Sequence, residues 1–211
     1  MVNPRSESWP AMGTRTALDE TRRGAILNAA LDCFLLHGVA GTTIEDLRSA
    51  SGASVGCIYH HFGSKEQLAA TLYVQILASY QNAFLASLKT SRSARAGVEG
   101  AVRHHLRWVA ARPSQARYLF HCREPEVVSE SNRAANELNV NFYAEAGRWL
   151  AGHVSRGHIR ALAPELYHAL WMGPSLEYTR QWLAGSNRPW DRLTGERQLA
   201  EAAWNVLRAV R

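Results

Sequence analysis

The sequence predicts an all-α protein: an N-terminal three-helix domain containing a helix-turn-helix, followed by a C-terminal helical bundle. Three observations carry this. None of the 211 residues falls in a segment with convincing period-2 alternation, whereas apolar residues recur three and four apart from about residue 19 onward. Between Thr42 and Glu66, two short helical stretches flank a tight Ser51-Gly52 turn. Pro113, Pro125 and Pro164 stand at the starts of apolar-periodic segments, where a missing N–H costs nothing.

In chain order, residues 1–18 contain Pro4, Pro10 and Gly13 and little periodicity, so they read as a flexible arm. Arg15, Arg22 and Arg23 can reach phosphates or a minor groove, while a solvated tail is the alternative for Arg5 and Arg15; Trp9 has no assigned role. A first helix runs from about Asp19 to His37, with Leu27, Leu31, Phe34 and Leu35 at helical spacing and Gly38 as its stop. Thr42 or Thr43 caps a second helix reaching Ala50, whose Ile44 and Leu47 bury one edge. Gly52 supplies the positive-φ turn. Ser54 caps a third helix running to about His61, with Ile58 and Phe62 inward. Ser64 with Gln67 then makes a capping box for a long helix from about Lys65 to Lys89.

The outer face of the third helix carries the chemistry. Its first turn, Val55-Gly56-Cys57, is where a recognition helix meets base edges: Val55 offers a thymine-methyl contact, Gly56 close backbone approach, Cys57 only a weak donor. Ser54 sits at the same end. Tyr59 and one of His60 and His61 contact phosphates, with His60 the better placed on helical spacing, and Lys65 adds a point charge. Thr43 reads both as a plain cap and as a phosphate contact at a helix N-terminus. The expected partner is double-stranded DNA.

These residues, T-T-I-E-D-L followed by S-V-G-C-I-Y-H-H-F-G-S-K-E-Q-L, resemble the DNA-binding domain of TetR/AcrR-family transcriptional regulators over roughly residues 20 to 70. The resemblance implies a homodimeric one-component regulator, mostly a repressor, with a variable helical domain that binds a small molecule. Cys57 departs from the Thr or other small polar residue often found there. The expected organisation is therefore an arm 1–18, a helix-turn-helix domain 19–66 and a ligand-binding and dimerisation domain 67–211, joined through the helix 65–89. That helix, ~36 Å long at 1.5 Å per residue, is the natural lever between them.

Beyond it, helices are expected over about Ala94–Ala111, Ser114–Arg123, Pro125–Arg156, Pro164–Ala184 (kinked at Gly173-Pro174) and Gly195–Arg211. Inward aromatics Trp108, Phe120, Phe142, Trp149 and Trp171, with His121, are the candidate effector pocket; His104, Arg107, Asn139 and Asn141 are further polar candidates, and Tyr118 and Tyr143 further aromatics. For the dimer, the resemblance and the apolar stripes both point to the last two helices: Leu176, Trp182, Leu183, Leu199, Ala203, Trp204 and Leu207. Two-fold pairing would set two recognition helices ~34–36 Å apart, the repeat of the major groove.

Charge warns against a simple reading. The net charge is +6, yet residues 1–66 hold six basic groups against seven acidic, a net of −1, while the remainder holds 18 against 11, a net of +7. The basic excess is therefore no footprint of the DNA-binding face, and is either solvated surface or an attraction for an anionic ligand. Cys33, Cys57 and Cys122 form no C-x-x-C pair and suggest free thiols in a reducing cytoplasm. No secretory signal and no ~20-residue uninterrupted apolar run is seen, so no membrane partner is expected. The chain lacks G-x-S-x-G, H-E-x-x-H, a phosphate loop and paired acidic motifs, so neither an enzyme nor a cofactor or metal site is expected.

Overall fold

The computed structural model describes residues 14–121, 125–185 and 192–210. Among them run ten helices: α1 Thr14–Gly41, α2 Ile44–Ser51, α3 Val55–Phe62, α4 Lys65–Lys89, α5 Ala94–Ala111, α6 Pro113–His121, α7 Pro125–Ser155, α8 Pro164–Trp171, α9 Gly173–Leu183 and α10 Arg192–Leu207. The chain divides into two compact units, Met1–Ala69 and Ala70–Arg211, and the division falls inside α4.

In the head, α1 begins at Thr14, so residues 14–18 are helical rather than part of an arm; Arg5 and Trp9 lie outside the described residues. Gly38, at φ 72° and ψ 167°, breaks the helical path where the sequence predicts a stop. The Thr42 hydroxyl, buried at this corner, donates to the Gly38 carbonyl at 2.7 Å. Ile26, Ala30 and Phe34 of α1, Leu47 of α2, Ile58 and Phe62 of α3 and Leu68 of α4 are buried and form the head core. Full burial of residues such as Leu47 and Ile58 is worth about 2–3 kcal/mol each. Asp19–Gly41 is the helix, among the described residues, that is long and apolar enough by composition to cross a membrane, but its Ile26, Ala30, Leu31 and Phe34 are packed into this core.

In the body, Phe84 and Leu88 of α4, Val98, Val102 and Leu106 of α5, Trp171 of α8, and Ala200, Ala203 and Leu207 of α10 belong to one buried cluster. Gly97 lets the Trp149 indole of α7 lie directly on α5: a Cβ there would overlap the ring. Trp149 stacks on Trp171 at 5.8 Å, and Trp171 Nε1 donates to the Val98 carbonyl at 2.9 Å. The expected kink at Gly173-Pro174 is a full break. Pro174 cannot donate to the carbonyl four residues back, and α8 and α9 are separate helices around Met172. The chain after α7 is tied to the chain end: Arg160 N–H donates to the Leu207 carbonyl and Ala209 N–H to that of His158.

Candidate functional site

The turn of the head is built from caps. Thr43 is the N-cap of α2: Asp46 N–H donates to its Oγ1 at 3.1 Å, while Thr43 N–H and Oγ1–H donate to Asp46 Oδ2 at 2.8 and 2.7 Å. This reciprocal box engages the Thr43 hydroxyl on both sides, so the capping role is met within the chain, and the hydroxyl holds the Asp46 carboxyl below its ordinary range. Gly52, at φ 69°, closes α2 through its N–H to the Arg48 carbonyl at 3.0 Å. Ser54 Oγ accepts from Cys57 N–H at 3.2 Å and starts α3.

Two sides of α3 follow from its sequence. Ile58 and Phe62, four apart, are buried; Val55, Gly56, Tyr59 and His60 are exposed, and Cys57 is half-buried with a free thiol. A Cβ at Gly56 would meet nothing, so the chain itself sets no demand for glycine there. The histidines divide as helical spacing predicts. His60 is exposed, whereas the His61 side chain is 8% exposed, packs beside Phe62 and lies 3.4 Å from Asp19 Oδ1. Arg23 sits over the Phe62 ring at 5.4 Å, which ties that arginine to the core.

Lys65 has partners within the chain. Its Nζ donates to the Thr42 carbonyl at 2.8 Å and to the Ala40 carbonyl at 3.2 Å. Carbonyls at a helix end lack intrahelical partners and attract a cation. The ammonium therefore ties the end of α1 to the start of α4 within the head. Ser64 Oγ accepts from Gln67 N–H at 3.1 Å, which starts α4.

In the body, the aromatics named from the sequence form packed walls. Tyr80 meets Trp108 and Phe120 edge-on at 5.0 and 5.7 Å, and Phe84 meets Phe142 at 5.2 Å. Trp171 is 4% exposed and its N–H is already bonded, so it is core. The side chain of His121, and all of Cys122, lie outside the described residues. A cleft of about 800 Å³ lies between α4 and α5. Of the six pocket candidates only Trp108 lines it; Arg103, His104, Arg107 and Arg112 stand beside it, with Ser79, Ala83 and Ser87 opposite. The sequence carried that signal: Arg103 and Arg107, then His104, Trp108 and Arg112, are two adjacent rows at four-residue spacing. Asn139 accepts from Gln81 at 2.7 Å, and Asn141 is exposed.

The interface candidates also separate. Leu183, Ala203 and Leu207 are 6%, 4% and 0% exposed within the single chain, so they are part of its own core. Leu176, Trp182, Leu199 and Trp204 remain partly exposed.

A short helix capped at both ends, a Gly turn and a second helix with a buried and an exposed side define a helix-turn-helix protein, here carrying a helical C-terminal domain. The family model for bacterial regulatory proteins of the tetR family matches residues 26–72, the head core and its turn. The transcriptional regulator RutR of Escherichia coli K12 is 30% identical over 166 residues, 76% of this chain and 74% of RutR. The chain belongs to the TetR family and is a DNA-binding transcriptional regulator, not an enzyme. The transcriptional repressor AcnR of Corynebacterium glutamicum is 50% identical over 46 residues, but that match spans only 24% of AcnR and 22% of this chain. Bacillus subtilis FadR, solved in complex with stearoyl-CoA, shares the fold at a TM-score of 0.73 with 16% identity, over 87% of this chain and 98% of FadR.

Proposed function

We propose that the protein is a cytoplasmic repressor that binds a palindromic operator as a homodimer and is released by a small molecule held in the body. The observation that carries the reading is the outer side of α3. Val55, Gly56, Tyr59 and His60 are exposed on a helix whose other side is anchored by Ile58 and Phe62. Val55 and Gly56 approach base edges, where methyl contact and shape give selectivity; Cys57 adds little hydrogen bonding. Tyr59 and His60 meet phosphates and set the register. Ser54 and Thr43, at the N-termini of α3 and α2, offer positive helix ends to the same backbone.

The head domain is taken as 19–66 and the effector and dimerisation domain as 67–211, with α4 running through both. Release is a population shift. An effector that binds better to the DNA-incompetent arrangement weakens operator affinity by the ratio of its affinities for the two arrangements, and a tilt of α4 is the means. RutR and AcnR carry regulator and repressor names, and FadR was solved with a ligand, which supports this division of labour. Selection of bound fragments from random duplex DNA should recover an inverted repeat, with half-sites about one helical turn apart. Recovery of no common sequence, or of a single unpaired half-site, removes the proposal.

A further inference from the structure

The cleft between α4 and α5 has a one-sided charge. Arg103, Arg107 and Arg112 line it, and among the described residues no carboxylate does. Part of that charge is answered from outside: Glu99 takes Arg95 and Arg103 at 2.7 and 2.8 Å, and Glu196 takes Arg107 at 2.9 Å. Burial pushes the Glu99 carboxyl up, and its two arginines more than reverse this, leaving it below the ordinary range. Arg112 has no carboxylate within ion-pair distance among the described residues.

Two lining residues also carry buried nitrogens without a hydrogen-bond partner among the described residues: Trp108 Nε1, on a side chain 4% exposed, and His104 Nε2. Leaving such a group unsatisfied costs about 1–3 kcal/mol. An indole N–H is a donor only, so what completes Trp108 is an acceptor. Burial, and then the nearby Arg112 charge, hold the His104 imidazole below its ordinary pKa and therefore neutral, so it adds no positive charge of its own. The opposite wall, Ser79, Ala83 and Ser87, is built of small side chains and leaves room for an organic body beside the indole. The volume falls within the usual range for a small-molecule site, ~300–1,000 Å³.

We propose that this cleft binds a small organic oxyanion, a carboxylate or phosphate monoester on an apolar body, with Arg112 as its charge partner and Trp108 Nε1 as an N–H donor. Guanidinium groups suit oxyanions because their planar fork donates two parallel hydrogen bonds. The proposal rests on the reading of the body as an effector domain and gives that effector a chemical class.

The test is calorimetric titration of the full chain, without DNA, using benzoate, phenylacetate and phenyl phosphate beside their neutral counterparts benzamide and phenylacetamide. At least one anion should bind saturably and at least about tenfold more tightly than the amides, as expected for a charge-assisted bond. Arg112→Gln, on an exposed residue, should cut that binding about tenfold without changing the melting temperature; Trp108→Phe should also weaken it. Equal binding of amide and acid, unchanged binding by Arg112→Gln, or no saturable binding of any anion up to about 10 mM overturns the proposal. A parallel mobility shift separates the two readings. An anion that binds but leaves the DNA complex intact keeps the cleft assignment and removes the release mechanism. A compound that releases DNA yet gives no dependence on Arg112 does the reverse.

Discussion

His105 Nε2 on α5 lies 3.0 Å from Thr179 Oγ1 on α9, and the bond fixes the state of a histidine with no exposed surface. The Thr179 hydroxyl donates to the Leu176 carbonyl at 2.9 Å, so it accepts from His105 Nε2–H. His105 Nδ1 is then left to accept from the Tyr80 hydroxyl, 3.0 Å away on α4. One neutral imidazole thus joins α4, α5 and α9. Burial first, then the neighbouring His104, depress its pKa to about 3. The unfolded chain takes up this proton below about pH 6.5, the folded chain only near pH 3, so stability is present above about 6.5 and is lost as pH falls between the two values. The loss amounts to as much as about 5 kcal/mol over the whole interval. Thermal melts from pH 7 to pH 4 should show it, and His105→Gln should flatten the slope. A wild-type melting temperature that is constant over this range would show that the imidazole is not held neutral.

Lys65 separates head stability from phosphate contact. Removing its ammonium in Lys65→Met leaves the Thr42 and Ala40 carbonyls without their partner, with an expected cost of about 1–2 kcal/mol in the head. The logarithmic salt dependence of DNA binding should change by far less than the ~0.9 expected for one phosphate contact. A slope lowered by about one unit, with stability unchanged, would return Lys65 to the phosphate backbone.

On α3, Gly56→Ala and Tyr59→Phe test close approach and phosphate contact. A methyl at Gly56 meets nothing in the chain and should raise helix stability by up to about 1 kcal/mol, yet it should weaken DNA binding. Tyr59→Phe should lower affinity by about three- to tenfold for all sequences alike, since a phosphate bond carries no base information. Competition binding on specific and random duplexes reads both. Affinity unchanged by Gly56→Ala would mean that the first turn of α3 does not enter the groove.

Gly97 and Trp149 give a prediction confined to packing. Any Cβ at Gly97 overlaps the indole and also presses on Ser91 Oγ. Gly97→Ala should destabilise the body by about 1–3 kcal/mol, despite the better helix propensity of alanine. Gly97→Ala with Trp149→Leu should recover part of that loss, which denaturant melts would resolve; an additive pair would exclude the clash as the cause.

Much of this was legible in the chain because local chemistry decides it. The caps at Thr43, Ser54 and Ser64 and the stops at Gly38 and Gly52 each depend on residues within four positions, and they stand where the sequence puts them. What stayed hidden depends on partners far along the chain. Nothing near Lys65 says that its ammonium reaches carbonyls 23 and 25 residues back. The aromatic residues named for the pocket were marked by type alone, and type does not distinguish Trp171, whose N–H is bonded to Val98 across 73 residues, from Trp108, whose N–H is not. Likewise, an apolar stripe on α10 cannot say whether its occupant is the same chain or a second copy.

That last ambiguity sets the dimer test. Leu207 and Ala203 are enclosed by their own chain, whereas Trp182, Leu176, Leu199 and Trp204 keep exposed surface on α9 and α10. If the last pair of helices forms the proposed interface, the partly exposed set makes the contact and the enclosed set only supports it. Leu207→Ala should then cost about 2–5 kcal/mol of body stability, through lost transfer energy and a cavity. Trp182→Glu should leave the secondary structure intact but place an unpaired charge at the interface, and convert a dimer to monomers in sedimentation equilibrium. The monomer should lose most of its operator affinity, because one head no longer raises the effective concentration of the other. A Trp182→Glu protein that remains dimeric and well folded would move the interface away from this end of α9, and a wild-type protein that sediments as a monomer would end the two-fold reading altogether.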